Sequence, residues 1–204
     1  MKDYSNYIII TIASAICLLF TSCRQEQISP MNQLAKDLFC FKEGSEWTYY
    51  DIVSQDTVRM MVTKHTASKY GGGKEPNGKN YDFAESVKLE INVKNSSQSI
   101  STNTRLVGAI GTDNMLGQLS NVATPVVNSF SVENFALKCD NNNNFTPSAV
   151  YHSNYVVNGV TYSDVYEFNI NINATTYYVA KHVGFIKCVA SGSDLVLIDK
   201  NVLQ

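Results

Sequence analysis

The chain has 204 residues, 44% of them hydrophobic and 17% charged, which excludes a disordered, collagenous or multi-pass membrane protein and suits about one globular domain. Sixteen Lys and Arg against eighteen Asp and Glu leave a formal net charge of -2, and no basic block is present to neutralise a run of phosphates. No nucleic acid partner is therefore expected.

The first element in the chain is an address. Residues 8–20 (IIITIASAICLLF) form an apolar run preceded by Lys2. The run is shorter than the roughly 20 residues of a membrane-crossing helix and has the length of a signal-peptide core. It continues into Leu19-Phe20-Thr21-Ser22-Cys23, which resembles the lipobox of bacterial lipoproteins, where the cysteine is acylated and becomes the new first residue. Phe20 departs from the usual Leu three positions before that cysteine, with Leu18 and Leu19 beside it. The resemblance implies a signal peptide over 1–22, lipid attachment at Cys23, a tether over 23–37 and a single β-rich domain over 38–204. Each buried methylene of an acyl chain contributes about 0.8 kcal/mol, so two or more chains hold a protein stably on a membrane.

Ser29-Pro30 offers an N-cap and a first-turn proline for a short helix through Leu38. Strands are expected next at 46–53 and 57–64. The glycine-rich stretch 69–80 then reads as a loop. Val87, Leu89, Ile91 and Val93 alternate with Lys88, Glu90, Asn92 and Lys94, the pattern of a strand with one dry and one wet face. A strand at 104–110, a second short helix at 113–119 and a strand at 122–128 follow, before an Asn-rich loop at 140–144. Strands at 153–157 and 160–162 flank Asn158-Gly159, a strong signal for a type I′ hairpin turn because both central residues need positive φ. Tyr166, Phe168, Ile170 and Ile172 alternate with Glu167, Asn169 and Asn171. Further strands are expected at 175–180, 185–190 and 194–199, the last two joined at Ser191-Gly192-Ser193. The fold class is therefore mainly β, a curved antiparallel sheet or open barrel with one or two short helices.

Candidate chemistry is sparse. Gly73 to Asn80 (GKEPNGKN) nearly spells the phosphate-cradling G-x-x-x-x-G-K-[ST], but it ends in Asn80 and lacks a flanking parallel strand and helix; a plain hairpin loop is expected. His65, His152 and His182 have no metal-ligand spacing, and no G-x-S-x-G elbow is present, so no catalytic residue, cofactor or metal is expected. A hydrolase assembled in space around His182 is the enzyme alternative. Beyond Cys17 and Cys23, the residues Cys40, Cys139 and Cys188 read as buried thiols, with one disulfide among them the other option. The aromatic residues Trp47, Tyr49, Tyr166 and Tyr178 read as core or ligand-facing side chains. In the adjacent pairs Tyr49-Tyr50 and Tyr177-Tyr178, one ring must point to each face of a strand. Asp56-Thr57-Val58 resembles the acceptor triplet of bacterial O-glycosylation, with a plain strand start at Thr57 as the other reading.

Two segments at opposite ends carry a wider resemblance. Phe41-Lys42-Glu43-Gly44-Ser45-Glu46-Trp47-Thr48-Tyr49 resembles the Phe-x-x-Gly-x-x-Trp-x-Tyr opening of small Gram-negative exported lipoproteins of largely unknown function. Residues 158–166 and 177–187 are similar to their C-terminal hairpins. The resemblance covers about a quarter of the chain. It implies a curved antiparallel sheet like the half-barrel of the lipoprotein-localisation factors, and no catalytic residue.

The expected function is that of a non-catalytic binding or assembly module, lipid-anchored in the cell envelope, on either side of the outer membrane. Its partners would be the membrane itself and a hydrophobic or glycan ligand or an envelope protein. One alternative is a carrier that holds a lipid or other hydrophobic ligand in an apolar cavity. Another is a subunit of a surface fibre or a polysaccharide-handling complex.

Overall fold

The computed structural model describes residues 26–74, 80–96, 99–107, 115–120, 137–140, 145–146, 148–170 and 174–204. The signal segment, Cys23 and the strand expected at 122–128 lie outside them. Among the described residues are one short helix, α1 (Gln33–Phe39), and fifteen strands. These are β1 (Ile28–Ser29), β2 (Glu46–Asp51), β3 (Thr57–Tyr70), β4 (Gly73–Lys74), β5 (Asn80–Tyr81), β6 (Phe83–Lys94), β7 (Ser99–Val107), β8 (Met115–Ser120) and β9 (Leu137–Asp140). The rest are β10 (Phe145–Thr146), β11 (Ala149–Val157), β12 (Val160–Ile170), β13 (Thr175–Ala180), β14 (Gly184–Ala190) and β15 (Ser193–Asn201). The fold is mainly β, as the alternation predicts.

Thirteen strands form one sheet in the order β10-β9-β8-β7-β6-β3-β2-β15-β14-β13-β12-β11, with β1 joining β6. Every pair on that path is antiparallel, and β1 alone runs parallel to its partner. Read as a ring, the order follows the chain from β2 onward: each strand pairs with the next, except that β3 pairs with β6 across the separate β4–β5 hairpin, and the last strand, β15, pairs with β2. The ring is open between β10 and β11. Laid flat, twelve strands would hold β10 and β11 about 50 Å apart at ~4.8 Å per strand. Thr146 and Ala149 are three residues apart and reach at most about 11 Å. The sheet therefore curls into an open barrel with one seam.

The pleat fills the concave side. Trp47 and Tyr49 of β2, Val58, Met60 and Val62 of β3, Leu89 and Ile91 of β6, Phe168 of β12 and Tyr177 of β13 are buried on it. Helix α1 adds Leu34, Leu38 and Phe39 to the same core, with the Phe39 ring centroid 6.4 Å from Phe168 and 6.0 Å from Phe185. The helix crosses one end of the barrel. Lys36 pairs with Glu85 of β6 at 2.7 Å, while the Asp37 carbonyl accepts the His182 N–H at 2.8 Å and its carboxylate pairs with Lys181 at 3.2 Å, both in the β13–β14 turn.

Several expectations are corrected. The helix starts later than Ser29-Pro30 implies: Asn32 is the N-cap, its side chain accepting the Ala35 N–H at 3.2 Å. Ser29 is instead drawn into β1 by pairing with Ala84. For the same reason the described part of the segment assigned to the tether, residues 26–37, is part of the domain. The Gln27 carbonyl accepts the N–H groups of Asp82 and Phe83, and Met31 is buried, so ordered packing begins by Gln27 rather than at residue 38. The helix expected at 113–119 is strand β8 over its described residues, paired with β7 on one side and β9 on the other. A seven-residue helix gains little on its own, whereas the open edge of β7 offers a complete ladder. Strand β3 continues through Tyr70, past the expected end at 64, because β6 begins at Phe83 and pairs along that length.

Candidate functional site

The Trp47 side chain is wholly internal. Its indole N–H donates to the Val183 carbonyl at 2.6 Å, and its ring meets Phe41 edge-on at 4.8 Å. Tyr49 is equally buried and its hydroxyl donates to the Phe185 carbonyl at 3.0 Å. Burial pushes its ionisation well above the ordinary phenol value. Both are core residues that tie β2 to the β13–β14 hairpin. Their alternation partners lie on the other face: Tyr50 is half-buried beside Tyr49, and Tyr178 beside the fully buried Tyr177.

The remaining two aromatic candidates, Tyr166 and Tyr178, converge on one place, the free edge of β11. Among the described residues, strand β11 pairs only with β12. Tyr166 shares the concave face with its ladder partner Val179, and its ring lies 5.3 Å from that of Tyr151 on β11. The Tyr151 hydroxyl donates to Asp164 at 2.6 Å, and that bond pushes its ionisation upward. On the convex face Tyr155 of β11 stacks on Tyr178, centroids 4.5 Å apart and 22° between planes. Burial first, and then a hydrogen bond with Tyr155, push the Tyr178 hydroxyl far up. The His152 ring is 5.3 Å from Tyr155, and its Nε2 lies 2.9 Å from Glu167. Lys187 and Asp194, 3.4 Å apart, close the convex cluster.

The sequence did not announce the kink that arranges these side chains. Asp164, in mid-strand, has φ 52°, and the β11–β12 ladder passes over the Ser153/Asp164 pair. Asp tolerates this left-handed conformation better than most residues. The Tyr151 hydroxyl and the Lys181 N–H, the latter bonded to the Asp164 carbonyl at 3.1 Å, hold it in place. Only the acid beside a serine hinted at a break within β12.

Edge strands in native sheets are blunted by Lys, Pro, bulges or short length, because their open N–H and C=O groups template another strand. Strand β11 (AVYHSNYVV) is nine residues long and has no Lys, Arg or Pro. Val150, Tyr151 and Val156 on it are 52%, 53% and 63% exposed. Across the seam, β10 has two residues and covers little of that length.

The other candidates are placed as follows. His65 Nδ1 lies 2.7 Å from the Phe41 carbonyl and His182 Nδ1 lies 2.6 Å from Gln204 Oε1, so the three histidines occupy three separate places. Among the described residues no group of three His, Cys, Asp or Glu could hold a metal ion. Cys40 and Cys188 are thiols rather than halves of a disulfide, and burial pushes the Cys40 thiol up; the Cys139 side chain lies outside the described residues. Most of the loop resembling a phosphate cradle, 75–79, also lies outside them, but its ends β4 and β5 pair antiparallel as in a hairpin. Thr57 is exposed at the start of β3, its N–H held by the Asp56 carboxylate at 2.8 Å.

Fold and site together define an open, almost wholly antiparallel barrel with a helix across one end and an aromatic-flanked edge strand at its seam. No protein-family model, curated protein or solved structure matches the chain. Among the described residues no helix is long and apolar enough to cross a membrane.

Proposed function

We propose that the protein is a lipid-anchored envelope lipoprotein, held by acyl chains on Cys23, that acts as a non-catalytic assembly module by accepting an extended segment of a partner protein along β11. The observation that carries this reading is the β11 edge. An added strand gains main-chain hydrogen bonds from an open ladder and places alternate side chains on opposite faces. Here each face supplies its own aromatic pair, Tyr151 with Tyr166 and Tyr155 with Tyr178. Uncharged edge residues suit a partner segment that is itself largely uncharged and β-branched or aromatic on one face.

The test is site-specific photo-crosslinking in intact cells. A photoreactive residue replacing Val156 should give a discrete adduct with another polypeptide, and one replacing Ser54, in the β2–β3 turn, should not. Adducts of equal yield from both positions, or none from Val156, would count against the strand-addition reading. An adduct of twice the chain mass, with matching dimers of the purified protein, would make the partner a second copy and overturn the hetero-assembly version.

A further inference from the structure

We infer that the end of the barrel carrying β1, the tip of the β3–β6 ribbon and α1 rests on the bilayer that holds the acyl chains of Cys23. The inference depends on the lipoprotein reading above and adds to it a membrane-contact surface and an orientation.

It begins with where the fixed chain starts. The Gln27 N–H donates to Asp82 Oδ2 at 3.1 Å, and its carbonyl accepts from the N–H groups of Asp82 and Phe83 at 2.9 and 3.2 Å. From the next residue on, the ladder pairs Ile28 with Phe83 and Ser29 with Ala84, and the Met31 N–H donates to Glu85 at 2.9 Å. Gln27 is thus bonded to the start of β6, next to β1, and Cys23 precedes it by four residues. Fully extended, four residues span at most about 14 Å.

That reach is short against the domain. Strand β3 has fourteen residues and rises ~3.3 Å for each, so it is about 46 Å long. Gln27 sits beside Phe83, near the Tyr70 end of β3, since Tyr70 pairs with Ala84. The β2–β3 turn is at the opposite end. A leash of this length leaves only the surface around Gln27 able to meet the membrane.

The chemistry of that surface suits the headgroup layer. Ile28 and Tyr70 are 47% and 45% exposed. Lys69 pairs with Glu26 and lies 5.3 Å from the centroid of the Phe83 ring. Tyrosine favours the boundary between hydrocarbon and water, and ion-paired side chains on apolar stems suit the same layer. Apolar exposure alone would not choose this end, because Ile52 and Val53 in the β2–β3 turn are also exposed. The position of the leash makes the choice.

The test uses the full lipidated chain, purified from membranes and reconstituted in vesicles of phosphatidylethanolamine and phosphatidylglycerol with brominated acyl chains, which quench nearby indoles. The native Trp47 is buried and supplies a constant background. In Tyr70→Trp, and independently in Ile28→Trp, the added emission should be lost in brominated vesicles and restored in the unlipidated Cys23→Ser form. In Ile52→Trp it should persist. Equal loss at both ends, or loss at Ile52→Trp alone, overturns the inference while leaving the anchor intact. Mass spectrometry of the same preparation separates the two readings: a Cys23 without acyl groups removes the anchor and the inference with it.

Discussion

The indole nitrogen of Trp47 and the carbonyl oxygen of Val183 are 2.6 Å apart, a hydrogen bond that joins the first long strand of the domain to a turn 136 residues later. It is formed at the edge of the core, where a carbonyl left unmet by the chain and shielded from water would cost up to about 1–3 kcal/mol. The same turn binds Asp37 of α1, so one short connection fastens the helix, β2 and the β13–β14 hairpin together. Removing the ring and its donor should be among the most damaging single changes in the chain. Trp47→Ala is expected to cost about 3–5 kcal/mol in urea unfolding and Trp47→Phe less, the difference reporting the bond and the lost ring volume.

Gly184 adjoins this turn and has no room for a side chain. Its φ is +88°, and an added Cβ would stand 3.0 Å from the Phe41 ring and 3.5 Å from the Trp47 nitrogen. Gly159, in the β11–β12 turn, has φ +76° but open space around it. Gly159→Ala should therefore cost only the left-handed backbone penalty of about 1–2 kcal/mol. Gly184→Ala adds an overpacking cost of about 1–3 kcal/mol to it. Unfolding midpoints of the two variants check the order, and equal losses would contradict the packing described for Gly184.

Asp51 contributes to the loss of stability in acid. Its buried carboxylate accepts the Asp194 N–H at 2.9 Å, the Ser54 hydroxyl at 2.7 Å, the Val53 N–H at 3.1 Å and the Ser193 hydroxyl at 3.2 Å, joining the β2–β3 and β14–β15 turns. Burial opposes its ionisation, but these bonds outweigh burial and hold the carboxyl below the usual carboxylate range. A folded pKa below the unfolded one means that the unfolded chain takes up the proton first as pH falls. The stabilisation is then complete above the unfolded value of about 4 and is lost as pH drops through the lower folded value. Unfolding free energy measured against pH should fall in that window, and Asp51→Asn should flatten the fall.

The edge of β11 permits substitutions that separate assembly from folding. Val150→Lys and Val156→Lys place on it the charge that other edges use to repel added strands. Both sites are more than half exposed, so stability should change by no more than about 0.5 kcal/mol. The crosslink from position 156 should disappear in Val150→Lys, and one from position 150 should disappear in Val156→Lys. A large loss of stability would show that these side chains pack within the domain, and retained crosslinks would show that the partner does not use the edge.

Much of this architecture is legible in the sequence because it rests on period-2 alternation and local turn chemistry. The run around Leu89 is a strand with the expected buried face, Phe168 is buried as its own run expects while Ile172 lies outside the described residues, and Asn158-Gly159 has positive φ at both residues, 48° and 76°. Tyr49-Tyr50 and Tyr177-Tyr178 divide between the two faces as a strand requires. The parts that were not legible depend on distant partners. Ile28-Ser29 has no strand pattern and becomes one by pairing with Phe83 and Ala84 of the distant β6. Met115–Ser120 contains Gly117 and no alternation, yet it is held as a strand from both sides. Strand β12 reads as two pieces because Ser163-Asp164 looks like a turn. Asp164 does take a turn conformation, while the ladder resumes on either side of it. The free edge of β11 was not predictable, since a strand's neighbours are set by the whole ring.

The central claim is a β domain held to a membrane by lipid on Cys23. Mass spectrometry of the protein from the membrane fraction tests it most directly. The account predicts a chain that begins at Cys23 and carries acyl groups on that residue; an uncleaved chain beginning at Met1 with an unmodified Cys23 would contradict it.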